Sequence, residues 1–240
     1  MNAFVLAAGF GKRMGSLTEN TPKPLLKIQS ITLLDYALYL LHVWNIQNIW
    51  VNTHYLGEKI LNHLKKFSGI SLVVSHESNE ILGTAGGIRT ALPEDHYTEP
   101  ILIINPDTLF FPSADFSPKD RLANNSKIHL YLLPIPEGQS YTKISISDDQ
   151  TLKFGEGNFY YIGLAVLDPK CLLHLEKNRY YDLSDIFKEC GKKGEITGEL
   201  FQGKVLDLGT KELWESYQTK DVFGNKLTKI QNFLSRFNMT

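Results

Sequence analysis

The chain has 240 residues, 42% hydrophobic and 21% charged, enough for one large core or a core plus a small lobe. Its 25 basic and 26 acidic side chains leave a formal charge of -1, which offers no electrostatic footprint for nucleic acid or an anionic membrane. Two cysteines, Cys171 and Cys190, exclude a disulfide framework or a metal knuckle. No apolar stretch approaches the roughly 20 residues that span a bilayer, and the N-terminus enters a strand without a charged leader, so a cytoplasmic protein is expected.

The first predicted element is a buried strand over residues 4–8. It ends in Gly9-Phe10-Gly11, followed at once by Lys12 and Arg13. Glycines let the backbone turn tightly and bring N–H groups close to a ligand, and such a nest of amides beside cations suits a polyanion. In Thr21-Pro22-Lys23-Pro24, two prolines fix the backbone on either side of one lysine, which is therefore positioned. Two familiar phosphate motifs fail here. A dinucleotide fingerprint needs a third glycine where Met14 stands, and a P-loop counted from Gly9 or Gly11 lands on Met14 or Ser16.

Leu33, Leu34, Ala37, Leu38, Leu40 and Leu41 recur at helical spacing, a strand follows over 49–51, a second helix carries Ile60, Leu61, Leu64 and Phe67, and a strand covers 70–74. This alternation predicts a mostly parallel sheet flanked by helices, with ligands beyond the carboxyl ends of its strands. Leu82-Gly83-Thr84-Ala85-Gly86-Gly87 leads into a helix that runs to Pro93, with Thr84 as the expected N-cap. The apolar run 101–104 reads as a central parallel strand and ends in Asn105-Pro106-Asp107. Residues 112–126 are polar, a loop plus a short helix.

A strand over 128–133 precedes alternating Ile144/Ile146 and Leu152/Phe154, a hairpin expected in a small β lid lobe outside the main sheet. Another strand covers 159–166, and a helix over 183–190 has Asp182 as N-cap. Short strands over 196–199 and 204–206 lead to Asp207-Leu208-Gly209-Thr210 and a helix over 211–217. Leu227, Ile230, Phe233, Leu234 and Phe237 share one helical face, expected to dock on the domain. The seven histidines, His54 and His76 among them, lack metal-ligand spacing.

Leu6-Ala7-Ala8-Gly9-x-Gly11-x-Arg13-Met14, with Pro22-Lys23-Pro24-Leu25, resembles the signature of nucleotidyltransferases that join a nucleoside triphosphate to a sugar 1-phosphate. The resemblance runs to about residue 217 and is nearest the short bacterial N-acetylmuramate 1-phosphate uridylyltransferases, with mannose- and heptose-1-phosphate guanylyltransferases and phosphocholine cytidylyltransferases as near relatives. It implies a Rossmann-like, mostly parallel mixed sheet, the nucleotide-diphospho-sugar transferase fold, in a single domain over 1–240. A nucleotide-binding half would cover about 1–110, a sugar-binding half and lid about 111–217, and a C-terminal helix about 221–238.

The same resemblance implies an enzyme of nucleotide-sugar supply for the cell envelope. Its partners are a nucleoside triphosphate and a sugar 1-phosphate, with no nucleic acid and no membrane. Nucleotide binding would involve Leu6, Ala7, Ala8, Gly9, Gly11, Lys12, Arg13, Lys23, Ser78, Gly83 and Thr84. Arg13, Lys23 and Asp107 would be catalytic, and Asp107 with Asp207 would hold Mg²⁺. Asn105, Tyr161, Gly163 and Glu199 would contact the sugar phosphate.

The chain departs from the family pattern in several places. Ser78 stands where many relatives carry Gln or Glu, Pro106 replaces a glycine, Val205 replaces a tryptophan, and the Glu-Lys-Pro before the 159–166 strand is absent. Uracil with an N-acetylated sugar is the first expectation, then guanine with mannose or heptose, then cytosine with phosphocholine. Pro106 and the missing Glu-Lys-Pro keep open a non-catalytic nucleotide-sugar-binding homologue. An α/β dehydrogenase is disfavoured by Met14.

Overall fold

Apolar runs bounded by glycine and proline set the strands. The computed structural model describes residues 1–118, 122 and 126–237. Its strands are β1 (Asn2–Leu6), β2 (Lys27–Ile28), β3 (Ile31–Thr32), β4 (Asn48–Thr53), β5 (Ser71–His76), β6 (Ile101–Ile104), β7 (Thr108–Pro112), β8 (Ile128–Pro134), β9 (Ile144–Ile146), β10 (Leu152–Phe154), β11 (Phe159–Leu167), β12 (Ile196–Leu200) and β13 (Gly203–Asp207). The helices are α1 (Leu33–Val43), α2 (Gly57–Leu64), α3 (Gly83–Ala91), α4 (Leu183–Lys192), α5 (Lys211–Ser216) and α6 (Lys226–Ser235). The polar stretch expected as loop and short helix over 112–126 lies partly outside the described residues.

The described residues form two compact units that interleave along the chain. Unit 1 takes Met1–Asn2, Leu82–Ile104 and Phe111–Lys204; unit 2 takes Ala3–Ile81, Asn105–Phe110 and the chain from Val205 onward.

In unit 2, β1, β4 and β5 are neighbours, and β4 runs parallel to β5 in register from Asn48↔Ser71 to Thr53↔His76. Helix α1 is capped by Thr32, whose hydroxyl accepts from Asp35 N–H at 3.0 Å, and it is buried from Leu33 to Leu41. The expected tail helix forms and docks. Phe233 lies edge-on to Tyr39 at 5.8 Å and 6.3 Å from Phe67, and with Ile230 it buries the apolar face. Each such side chain contributes about 1.5–3 kcal/mol when fully buried.

In unit 1, β11 is the hub. It pairs antiparallel with β6 and β8, and β8 pairs parallel with β12. The 101–104 run, expected as a central parallel strand, is fully buried as expected, but its pairing with β11 is antiparallel. The 144–154 hairpin is present. Its strand β9 pairs with β11 at Phe159↔Ile144, so it extends the sheet rather than standing outside it.

Helix α3 starts differently from the sequence expectation. It begins at Gly83 with Leu82 as N-cap and no side-chain cap, so Thr84 lies inside the first turn. The capping is done by backbone from elsewhere in unit 1: Ala85 and Gly86 N–H groups donate to Tyr181 O at 3.0 and 3.2 Å. Two glycines make this approach possible. A Cβ at Gly86 would stand 2.2 Å from Arg179 O, and one at Gly83, where φ is +68°, would stand 2.5 Å from Tyr181 O. Gly86→Ala is therefore expected to lower stability by about 3 kcal/mol in chemical denaturation, since backbone must move; an unchanged midpoint would refute the packing argument. Helix α4, next along the chain, has the expected cap, with Asp182 Oδ1 accepting from Ser184 N–H at 2.8 Å.

Candidate active site

Unit 2 builds one cluster from four separate stretches. The first is the glycine loop after β1. Gly11 sits at φ +65°, and a Cβ there would meet Thr18 Cγ2 at 2.9 Å and Lys23 Cβ at 3.2 Å. Glycine is required by both backbone and space. The loop continues into a 3₁₀ segment, Lys12–Thr18, where Met14 N–H donates back to Gly11 O at 2.8 Å. Among the described residues, no backbone acceptor pairs with the amides of Gly9 to Arg13. Those N–H groups can therefore turn toward an anion. Ala7 is different: its N–H already donates to Asn52 Oδ1 at 2.8 Å.

The second stretch holds Lys23 at the start of a 3₁₀ turn between Pro22 and Pro24, with Leu25 N–H donating to Pro22 O at 2.8 Å. Lys23 is only 9% exposed, so its ammonium needs partners. Nζ donates to Asp107 Oδ2 at 2.5 Å and to Gly209 O at 3.4 Å. An ammonium has three N–H donors, which leaves one without an acceptor among the described residues.

The third and fourth stretches carry the carboxylates. Leu208 N–H donates to Asp107 O at 3.0 Å, which places the two aspartate segments side by side. Asp207 Oδ1 accepts from Gly209 N–H at 2.7 Å and tightens that turn. The Arg13 guanidinium lies against it: a Cβ at Gly209 would be 2.8 Å from Asp207 Oδ1 and 3.4 Å from Arg13 Nη1. Arg13, Lys23, Asp107 and Asp207 are thus gathered within unit 2.

Asp107 Oδ1 and Asp207 Oδ2 have no protein donor among the described residues. Two hard oxygen donors beside the Lys23 and Arg13 cations fit Mg²⁺, which takes few protein ligands and completes its shell with phosphate and water. No group of three or more His, Cys, Asp or Glu that could hold a metal occurs among the described residues.

The remaining sequence candidates are placed less decisively. Leu6 and Ala8 flank Ala7 at the end of β1, and Lys12 Nζ lies over the Phe10 ring, 5.3 Å from its centroid. Ser78 is exposed, while its neighbour Glu77 is buried. Asn105 Oδ1 is buried without a partner among the described residues. In unit 1, Gly83 and Thr84 open α3.

Tyr161 and Glu199 are not brought together. Tyr161 is opposite Leu132 and Glu199 is opposite Tyr131, and consecutive residues of β8 point to opposite faces of the sheet. The Tyr161 ring packs edge-on to Phe187 of α4 at 5.4 Å, and burial pushes its phenol pKa up. Glu199 shares its face with His129, whose Nε2 is 3.9 Å from Glu199 Oε1. Gly163, at φ +85°, lies in the bulge between Tyr161 and Ala165.

Asn52, Tyr55 and Glu77 also reach the glycine loop or its supports, and sequence patterning missed them. The available signal was their position at or just past the ends of β4 and β5, where parallel sheets bind ligands.

A glycine turn after β1, a positioned lysine and two aspartates at strand ends define an α/β protein built to handle a polyphosphate. Residues 3–123 match the MobA-like NTP transferase domain. The chain belongs to that family and is a nucleotidyltransferase of the sugar-1-phosphate group. It is 30% identical over 217 residues to the N-acetylmuramate alpha-1-phosphate uridylyltransferase of Neisseria meningitidis, an alignment covering 88% of this chain and 94% of that one. It is 30% identical over 161 residues to the D-glycero-alpha-D-manno-heptose 1-phosphate guanylyltransferase of Aneurinibacillus thermoaerophilus, covering 67% and 69%. A crystal structure of a putative glucose-1-phosphate thymidylyltransferase from Bacillus anthracis superposes with a TM-score of 0.76 at 19% identity, covering 91% of this chain and 94% of that one. The fold is the mixed, mostly parallel sheet flanked by helices of the nucleotide-diphospho-sugar transferases.

Proposed function

We propose that the chain transfers a uridylyl group from UTP to N-acetylmuramate 1-phosphate or a similar sugar 1-phosphate, releasing pyrophosphate. The observation that carries the chemistry is the Lys23 ammonium, bonded to Asp107 and to the carbonyl of Gly209, with one donor left over. The near full-length likeness to a uridylyltransferase supports the choice of substrates.

A phosphate monoester has its second pKa near about 6, so the sugar 1-phosphate is already a nucleophile at neutral pH and needs no general base. One of its oxygens attacks the α-phosphorus in line, the bond from that phosphorus to the bridging α–β oxygen breaks, and pyrophosphate leaves with the electron pair. No covalent enzyme intermediate is required. The work is holding two polyanions together and offsetting their charge. Amides of residues 8–13 cradle the triphosphate, Arg13 offsets charge on the leaving pyrophosphate, and Lys23 lies at the α-phosphate. Mg²⁺ held by Asp107 and Asp207 would neutralise charge on the phosphate oxygens.

For the sugar phosphate, Asn105 and Glu199 are the stronger candidates. Glu199 keeps a part-exposed carboxylate, whereas the Tyr161 hydroxyl is buried. Gly83 and Thr84 remain assigned to the base. A cytoplasmic location follows from the substrates, which are cytoplasmic metabolites in this reading. Guanylyl transfer to a heptose or mannose 1-phosphate is the second reading, supported by the likeness to the heptose 1-phosphate guanylyltransferase.

The test is pyrophosphate release with Mg²⁺ across four nucleoside triphosphates and a panel of sugar 1-phosphates plus phosphocholine. Turnover with UTP and an N-acetylated sugar 1-phosphate is expected. A best pair with GTP or CTP would replace the substrate assignment, and silence across the matrix with nucleotide sugars still binding would replace catalysis by a binding role.

A further inference from the structure

We infer that Asn52 and Glu77, with Tyr55, are positioning residues for the triphosphate: they form a buried strut that fixes where the glycine loop leaves β1. The inference rests on the assignment of residues 8–13 as the phosphate cradle.

The strut starts at Ala7, the first residue past β1. Its N–H donates to Asn52 Oδ1 at 2.8 Å, in place of a further strand pairing. Asn52 Nδ2 in turn donates to Glu77 Oε1 at 2.8 Å. Both side chains are almost wholly buried, at 3% and 4% exposure. Glu77 is itself held by its backbone: its N–H donates to Thr53 O at 2.8 Å, and His54 Nδ1 lies 2.6 Å from its carbonyl. A buried carboxylate bonded through an amide to one backbone N–H is a costly way to fill space, and apolar side chains would fill it more cheaply. Its consequence is that the Ala7 amide can take one orientation only.

Tyr55 braces the far end of the loop. Its hydroxyl donates to Thr18 O at 2.8 Å, and Thr18 Oγ1 donates to Gly11 O at 3.1 Å and Gly15 O at 3.2 Å. The Phe10 ring rests between His54, edge-on at 5.4 Å, and Tyr55 at 5.7 Å. Asn52 in β4, and His54 and Tyr55 just past its end, thus hold the loop at Ala7, Phe10 and Thr18. The amides of Gly9 to Arg13, which lie between those points, have no backbone acceptor among the described residues, so their aim depends on the points themselves. Displacements of about 1 Å at such a site cost on the order of 10²-fold.

Binding of inorganic tripolyphosphate, measured calorimetrically on the full chain, reads this loop without reference to base or sugar. In Asn52→Asp two carboxylates face each other, and Kd is expected to rise about tenfold. Glu77→Gln keeps an acceptor for Asn52 and should change Kd less than about twofold. In Asn52→Asp/Glu77→Gln the polarity is reversed: the aspartate accepts from Ala7 N–H and from the glutamine amide, and Kd should return to within about twofold of wild type. Rescue by this double variant is not expected of a residue that merely fills the core. Tyr55→Phe, which removes one hydroxyl at the loop's other end, should raise Kd about fivefold with an unchanged melting temperature.

Unchanged affinity in Tyr55→Phe, or a double variant no better than folded Asn52→Asp, overturns the strut. Arg13→Ala separates the two levels. If it weakens tripolyphosphate binding while the strut variants do not, only the strut is wrong; if it leaves binding unchanged, the loop assignment fails and the strut falls with it.

Discussion

Lys23→Met should lower kcat for pyrophosphate release by about 10³-fold, the scale seen when one donor to developing transition-state charge is removed. The substitution keeps the length of the stem and deletes the ammonium that Asp107 and Gly209 hold in place. The Asp107 side chain is about a quarter exposed, so the carboxylate left behind can take water, and the melting temperature should change little. Steady-state kinetics beside a thermal melt separates the two effects. A Lys23→Met protein with wild-type kcat would refute the role of the ammonium, and one that fails to fold would assign Lys23 to structure.

Asp107→Asn should cost about 10²-fold in kcat/KM and shift the Mg²⁺ requirement upward, since it removes the counter-ion of Lys23 and, on the proposed assignment, a charge that holds the metal. The backbone bond from Leu208 N–H to Asp107 O does not involve the side chain and should survive. Raising Mg²⁺ should recover part of the lost activity. Wild-type magnesium dependence in Asp107→Asn would show that this carboxylate does not hold the ion.

Much of the cluster was readable because its elements are local in sequence. Gly11 and the Pro22-Lys23-Pro24 unit announce a tight backbone before any partner is known, and the structure uses them at one place, where the Gly11 position faces Lys23 Cβ. The Asp182 cap and the docked face of α6 were equally local. What escaped was set by distant backbone. The cap of α3 is a carbonyl at Tyr181, almost a hundred residues from Thr84, which sequence had offered as the cap. Tyr161 and Glu199 part company because β8 lies between their strands and fixes the register of both. Asn52 and Glu77 each look like a single polar residue at a strand end. Only the parallel pairing of β4 with β5 brings them together. The interleaving of the two compact units is a property of contacts and leaves no mark in composition or spacing.

The most direct test of the proposed site is Mn²⁺ binding with UTP, followed by electron paramagnetic resonance, in wild type, Asp107→Asn and Asp207→Asn. The expected result is one tightly held ion per chain in the wild-type complex, weakened about tenfold or more in each variant. Equal affinity in all three proteins would contradict the assignment of Asp107 and Asp207 to the metal, and with it the arrangement proposed here for nucleotidyl transfer.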